Sequence, residues 1–222
     1  MTGMTNYAIQ QPSVRDRTRA VSVTETRVRI VDAAERLFRS MGYQKTAVAD
    51  IARDLCMSPA NVYRFFPSKA AINEAIAARL LSSVLEDVRV LAADQSIPPP
   101  ERLRRLLRLV FDSHLRLFFA ERRLHEMVIA AMAEHWGVIE SFVTNIRAAL
   151  AAVITEGMEG GDFAPGNPAE QASLVQKAML CWMHPAMLQD HLSHGVNDEA
   201  AAAGVEAMAA FCLQALRASP VE

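Results

Sequence analysis

Cysteine is scarce in this chain of 222 residues, which holds three at Cys56, Cys181 and Cys212. So scattered a set supplies neither a disulfide framework nor the paired spacing of a zinc site. A reducing compartment, the cytoplasm, is the expected setting. No apolar run reaches eighteen residues, and the start lacks a basic, apolar and cleavage-site pattern. Neither a membrane span nor a signal peptide is therefore expected. Hydrolase triad motifs, glycine-rich phosphate loops and H-E-x-x-H patterns are also missing, so neither an enzyme nor a bound cofactor is expected. Strand-like alternation and internal repeats are lacking as well. The only long break between helical stretches carries Gly157, Gly160, Gly161, Pro165 and Gly166.

What the chain does have is hydrophobic residues, 51% of the total, enough for a sizeable all-α core. Its charge is unevenly placed. Residues 1–70 hold eleven Lys and Arg against six Asp and Glu, a net of +5, and the remainder a net of −7. A basic N-terminal part on an acidic remainder suits one portion that meets phosphates and another that does not.

The segment from Thr46 to Lys69 reads as two short helices joined by a tight turn, the layout of a helix-turn-helix. Ala52 is small where a second helix must cross closely. Ile51, Leu55, Met57, Val62 and Phe65 supply apolar inner contacts. Ser58 before Pro59 is an N-cap followed by the residue best tolerated at the first helical position. The spacing predicts a helix from Pro59 to Phe66, closed by Pro67, with Ser68 capping the next. A plain helical hairpin inside an α-bundle is the alternative.

These residues resemble the DNA-binding domain of TetR-type transcriptional regulators. The likeness spans Thr24 to Leu80. It rests on Ile30 to Phe38 followed by Gly42-Tyr43, on Thr46 and Asp50-Ile51-Ala52, and on Asn61-Val62-Tyr63-Arg64-Phe65-Phe66-Pro67-Ser68-Lys69. One departure is Cys56, where such motifs often place a glycine able to adopt positive φ. The resemblance implies a dimer that reads a palindromic site in double-stranded DNA.

In the second helix Asn61 and Arg64 are three residues apart and share a face. Arg64 is suited to a bidentate pair with guanine and Asn61 to adenine, while Pro59 or Ala60 could touch a thymine methyl. By the resemblance, Tyr63 donates to a phosphate; a buried aromatic is the alternative. Thr46 and Lys69, at helix N-termini, are expected to hold phosphates. Residues 1–23, with Arg15, Arg17 and Arg19, form an expected disordered basic arm that is either a solvated terminus or a groove contact.

The expected domains are 24–70 for DNA binding and 71–222 for effector binding and dimerisation. Expected helices run over Thr24–Met41, Ser68–Ala93, a stripe from Leu103 to Phe118, Glu121–Glu134, Trp136–Met158, Pro168–His191 and Asp198–Arg217, with a kink at Pro185. The last two are the expected homodimer contact, through Leu174, Val175, Ala178, Met179, Trp182, Met183 and Ala186, and through Ala201, Val205, Met208, Ala209, Cys212 and Leu216.

His114, Phe118, Trp136, Trp182, Met183 and Met187 are candidates to line a cavity for a hydrophobic small-molecule effector. A hydrogen-bonded core His and Met core filler are the alternative. The expected function is a ligand-responsive regulator, a repressor released from DNA by effector. Two other readings stay open: a metal- or redox-responsive sensor built on Cys181, His184, His191 and His194, and an effector-independent activator or architectural DNA binder.

Overall fold

In a computed structural model of the chain, residues 14–133, 137–195 and 197–217 are described. Their regular structure is all α-helix, with no strand among them. The only extended pairing among them is an isolated bridge between Phe163 and Arg217.

The N-terminal region holds α1 (Val14–Met41), α2 (Val48–Asp54) and α3 (Pro59–Tyr63). Helix α1 starts at Val14 rather than Thr24, since residues 14–23 contain no glycine or proline to stop it. Residues 1–13 of the expected arm lie outside the described residues. Helix α3 ends at Tyr63, short of Phe66, with Arg64 as its C-cap still in helical geometry. Ser58 Oγ accepts from the Asn61 N–H at 3.2 Å, and Ser68 Oγ accepts from the Ala71 N–H at 3.0 Å, so both predicted caps form.

The turn between α2 and α3 closes on Cys56, which takes φ +53°. The Met57 N–H donates to Ala52 O at 2.8 Å and the Cys56 N–H to Arg53 O at 3.1 Å. This is the paired hydrogen bonding of a Schellman cap, whose left-handed residue is usually glycine. The cysteine thus occupies the glycine position with glycine's backbone conformation.

Helix α4 (Lys69–Ala92) leaves this region and enters a bundle of α5 (Pro99–Ala120), α6 (Arg122–Ala133), α7 (Gly137–Glu159), α8 (Pro168–Ala178), α9 (Leu180–Met183), α10 (Pro185–Ser193) and α11 (Asp198–Leu216). The expected single helix from Pro168 to His191 is three pieces. Met179 caps α8 near ψ 2°, and His184 is extended ahead of Pro185. Proline disfavours helical geometry in the residue before it, so the chain breaks at Pro185 rather than bending.

Two apolar cores result. The first packs Ile30, Phe38, Ile51, Ala52, Val62 and Phe66 against Ile72 and Ile76 of α4. It also takes Leu124, Met127 and Val128 from α6, so this core extends beyond residue 70 and shares a helix with the rest of the chain. Each fully buried side chain of this size contributes about 1.5–3 kcal/mol. The second core gathers Leu81 and Val88 of α4 with the inner faces of α5, α7, α8 and α11.

Arg102 is buried at the start of α5. Its guanidinium donates to Ala92 O at 2.7 Å and Ile97 O at 3.2 Å, and meets Glu156 at 2.8 Å. A buried cation of this kind is tolerated only with its donors satisfied, and here they fasten the α4–α5 loop to α7. At Gly204 of α11 a Cβ would lie 2.5 Å from the Trp182 ring. Glycine is needed there for the indole to lie against the helix.

Helices α7 and α11 are long and apolar enough to cross a membrane by length and composition. Each nevertheless lays a row of side chains into the second core, including Phe142, Ile146 and Val153 from α7 and Ala201, Val205 and Ala209 from α11.

Candidate nucleic-acid interface and effector cavity

Helix α3 buries Val62, and Phe66 is buried just beyond it, which turns the other side outward. Pro59, Ala60 and Arg64 are exposed, Asn61 is half-buried, and Tyr63 is 49% exposed. Tyr63 is therefore not the buried aromatic of the alternative reading; Phe66 takes that place. Arg27 of α1 lies over the Phe66 ring, 4.1 Å from its centroid, and donates to Phe65 O, bracing the turn that follows α3.

Lys69 is the first residue of α4, and its Nζ stands 4.1 Å from the Tyr43 ring centroid. Partial burial there pushes its pKa down. The same contact brings the loop carrying exposed Gln44 and Lys45 beside the start of α4. Those two residues were not singled out from sequence, since loop side chains have no periodicity that would give their direction.

Thr46 is a correction. It is 1% exposed, and its hydroxyl donates to Gly42 O at 2.9 Å. A hydroxyl has one proton, so Thr46 has no donor left for a phosphate. It holds the loop before α2 instead.

A cavity of about 370 Å³ lies where α4, α5 and α6 meet. Its apolar wall includes Leu80, Leu81, Val84, Leu117 and Val128; Arg79, Asp87, Arg116 and Glu121 add charge, and Ser113 and His114 add polar groups. His114 is 6% exposed and its Nδ1 has no hydrogen-bond partner among the described residues. Burial, reinforced by His125 and His184 nearby, lowers its pKa to about 4. The imidazole is accordingly neutral near pH 7.

Comparison with known proteins identifies the chain's lineage. Residues 30–76 match the family described as "Bacterial regulatory proteins, tetR family", and residues 99–203 match "Tetracyclin repressor-like, C-terminal domain". The HTH-type transcriptional regulator TtgR of Pseudomonas putida is 32% identical over 162 residues, 70% of this chain and 77% of the relative. The chain belongs to the TetR family of transcriptional regulators.

Solved structures share the TetR-family fold. A TetR-family regulator from Pectobacterium atrosepticum superposes with a TM-score of 0.68 at 18% identity, covering 90% of this chain and 98% of that one. Thermus thermophilus FadR, a TetR-family repressor solved with lauroyl-CoA, gives 0.60 at 21% identity, covering 88% and 98%.

Within this TetR-family frame the other expected effector residues do not converge on the cavity. Phe118 stands edge-on to His125, with centroids 5.1 Å apart, and lines a separate cleft with Phe119 and Leu192. Trp182 packs edge-on against Phe111 at 6.4 Å, Met183 lies against the second core, and Met187 is exposed. Trp136 lies outside the described residues. The cavity's charged lining went unread in the sequence because it depends on how three helices cross.

The expected dimer faces also change. Val175, Met179, Ala201, Val205, Ala209, Cys212 and Leu216 are buried inside the protomer. What faces outward is Leu174 on α8, Leu180 on α9, and Phe211 on α11, the last 65% exposed. As for the metal-sensor reading, no group of three His, Cys, Asp or Glu among the described residues could hold an ion.

Proposed function

We propose that this TetR-family regulator is a homodimeric repressor that binds a palindromic operator in double-stranded DNA and is released by a small-molecule effector. The observation that carries the DNA-binding half is the outward face of α3. Arg64 and Asn61 stand three residues apart on a helix anchored from below by Val62 and Phe66. Arg64 is assigned to guanine and Asn61 to adenine, with Pro59 and Ala60 toward a thymine methyl. Tyr63 and Lys69 are assigned to phosphates, which set register without reading sequence.

One α3 touches few bases, so two copies are needed, about 34 Å apart on successive turns of one DNA face. The dimer contact is assigned to the outward faces of α8 and α11, where Leu174 and Phe211 are exposed beside the small side chains Ala203 and Ala207. Effector is assigned to the C-terminal helices. It releases DNA only by binding the DNA-incompetent arrangement of the two heads more tightly than the competent one. TtgR, a transcriptional regulator, and FadR, a repressor solved with lauroyl-CoA, support this direction. The site of action is the cytoplasm, where the DNA is.

Selection of bound sequences from random duplexes tests the reading. Enrichment of an inverted repeat with half-sites one helical turn apart is expected. Recovery of unpaired half-sites, or of no consensus, contradicts it.

A further inference from the structure

Helix α1 begins well before the core of the head that it belongs to. Among the described residues it gives apolar side chains to that core only from Ile30 onward, while residues 22–25 and 27–29 are exposed. Residues 14–29 thus add about 24 Å of helix ahead of the core.

The polarity of α1 says where this extension goes. Near its C-terminal end Arg39 meets Glu121, and Arg123 donates to Arg39 O at 3.0 Å, so that end lies against the C-terminal helices. Arg27, about 18 Å earlier along the axis, lies instead against the turn that follows α3. Residues before Arg27 continue in the same direction, away from the C-terminal helices.

The charge of the extension is as one-sided as its position. Residues 14–29 carry five Arg against Asp16 and Glu25, a net of +3, more than half of the +5 over residues 1–70. At 3.6 residues per turn, Arg15, Arg19, Arg29 and Arg36 fall in one row along the helix. Arg36 ends the row on Asp54 at the close of α2, at 2.8 Å, so this side of α1 borders the helix-turn-helix. Arg29 is exposed and pairs with no carboxylate among the described residues.

We propose that this row is a second DNA contact, in which Arg15, Arg19 and Arg29 grip the phosphate backbone beside the bases that α3 reads. The proposal rests on the DNA-binding reading above and extends its footprint. Guanidinium groups bind phosphate oxygens in pairs, adding affinity and register without reading sequence. Three such contacts per protomer double in a dimer, and each releases counterions as it forms.

The test uses the full chain and the operator selected from random duplexes. Combining Arg15→Gln, Arg19→Gln and Arg29→Gln is expected to weaken operator binding about tenfold or more at moderate salt, and to make the plot of log affinity against log salt shallower by about three to five. Lys at the same three positions keeps the charge and is expected to hold affinity within about threefold of wild type. Arg17 falls on the opposite side of the helix, and Arg17→Gln is expected to cost about twofold or less. In the wild-type chain, operator is expected to protect Arg15, Arg19 and Arg29 from phenylglyoxal, read by mass spectrometry, and to leave Arg17 reactive.

Unchanged affinity and salt slope in the Gln variant, equal losses in the Gln and Lys variants, or an Arg17→Gln loss as large as that of the triple variant overturns the proposal. So do row arginines that stay reactive on the operator. A changed oligomeric state in the Gln variant with the salt slope intact also overturns it, making the row a contact between copies. Operator bound equally by wild type and Gln variant sinks only the row. A wild-type chain that selects no operator sinks the regulator reading and the row with it.

Discussion

Arg39 on α1 donates to the carboxylate of Glu121, the residue that caps the end of α5, and so ties the DNA-reading head to the C-terminal helices. Arg39 also holds Glu35 at 2.6 Å, and Glu35 in turn holds Arg79 of α4. One chain of alternating charges therefore links α1 to two helices that border the cavity. Burial alone would raise the Glu35 carboxyl, but hydrogen bonds from Arg39 and Arg79 outweigh it and hold its pKa below the ordinary 4.5. A depressed carboxylate stabilises the fold above its unfolded pKa, and that contribution fades as pH falls below 4.5 toward the folded value. A double-mutant cycle of Arg39→Met with Glu121→Gln is expected to give a coupling of about 0.5–1 kcal/mol in denaturant melts, shrinking at high salt. Effector is also expected to change operator affinity less in either variant. A zero coupling together with a full effector response speaks against the link.

His114 makes stability depend on pH in a milder range. Burial first, then the neighbouring His125 and His184, bring its pKa from 6.5 to about 4. Between those values the unfolded chain takes up a proton that the folded chain refuses, so stability is full above pH 6.5 and declines as pH falls toward 4. The contribution is roughly 3 kcal/mol at most. Urea melts from pH 7 to pH 4 are expected to show this decline, and His114→Phe to flatten it. An identical slope in the variant contradicts the assignment. His125 and His184, also lowered by burial, contribute to the slope that remains, joined at the acid end by depressed carboxylates such as Glu35 and Glu101.

Cys56 should be improvable. An L-residue in the left-handed region costs about 1–2 kcal/mol, which glycine avoids while losing part of the gain to its freer unfolded chain. Cys56→Gly is expected to raise unfolding free energy by up to about 1 kcal/mol without changing operator preference. A destabilised variant means the thiol makes a contribution that its φ of +53° and exposed position do not suggest.

Much of this molecule was legible because its local signals agree with its packing. Ser58-Pro59 and Ser68 start α3 and α4 where capping chemistry says they should, and Val62 buries as the period requires, whereas Phe66 is the fully buried aromatic and the expected Phe65 is only partly buried. The errors have physical sources. Thr46 reads as a helix-start donor, but a carbonyl one turn back takes its proton. The apolar face of α11 reads as a dimer surface, whereas α5 and α8 already cover it and leave Phe211 outside. Periodicity reveals that a face is buried without saying what buries it. Arg79 and Glu121 enter the cavity wall through crossings among α1, α4, α5 and α6, a many-body outcome with no counterpart in spacing along the chain.

The central claim is that α3 reads bases through Arg64 while Lys69 only grips the backbone. The most direct test is equilibrium binding of wild-type, Arg64→Ala and Lys69→Ala chains to the selected operator and to scrambled duplex across a salt series. Arg64→Ala is expected to cost about 1–3 kcal/mol on the operator, to relax preference at one base position, and to leave scrambled DNA nearly unaffected. Lys69→Ala is expected to weaken both duplexes alike and to reduce the salt slope by about one. Equal losses on operator and scrambled DNA for Arg64→Ala would contradict the account.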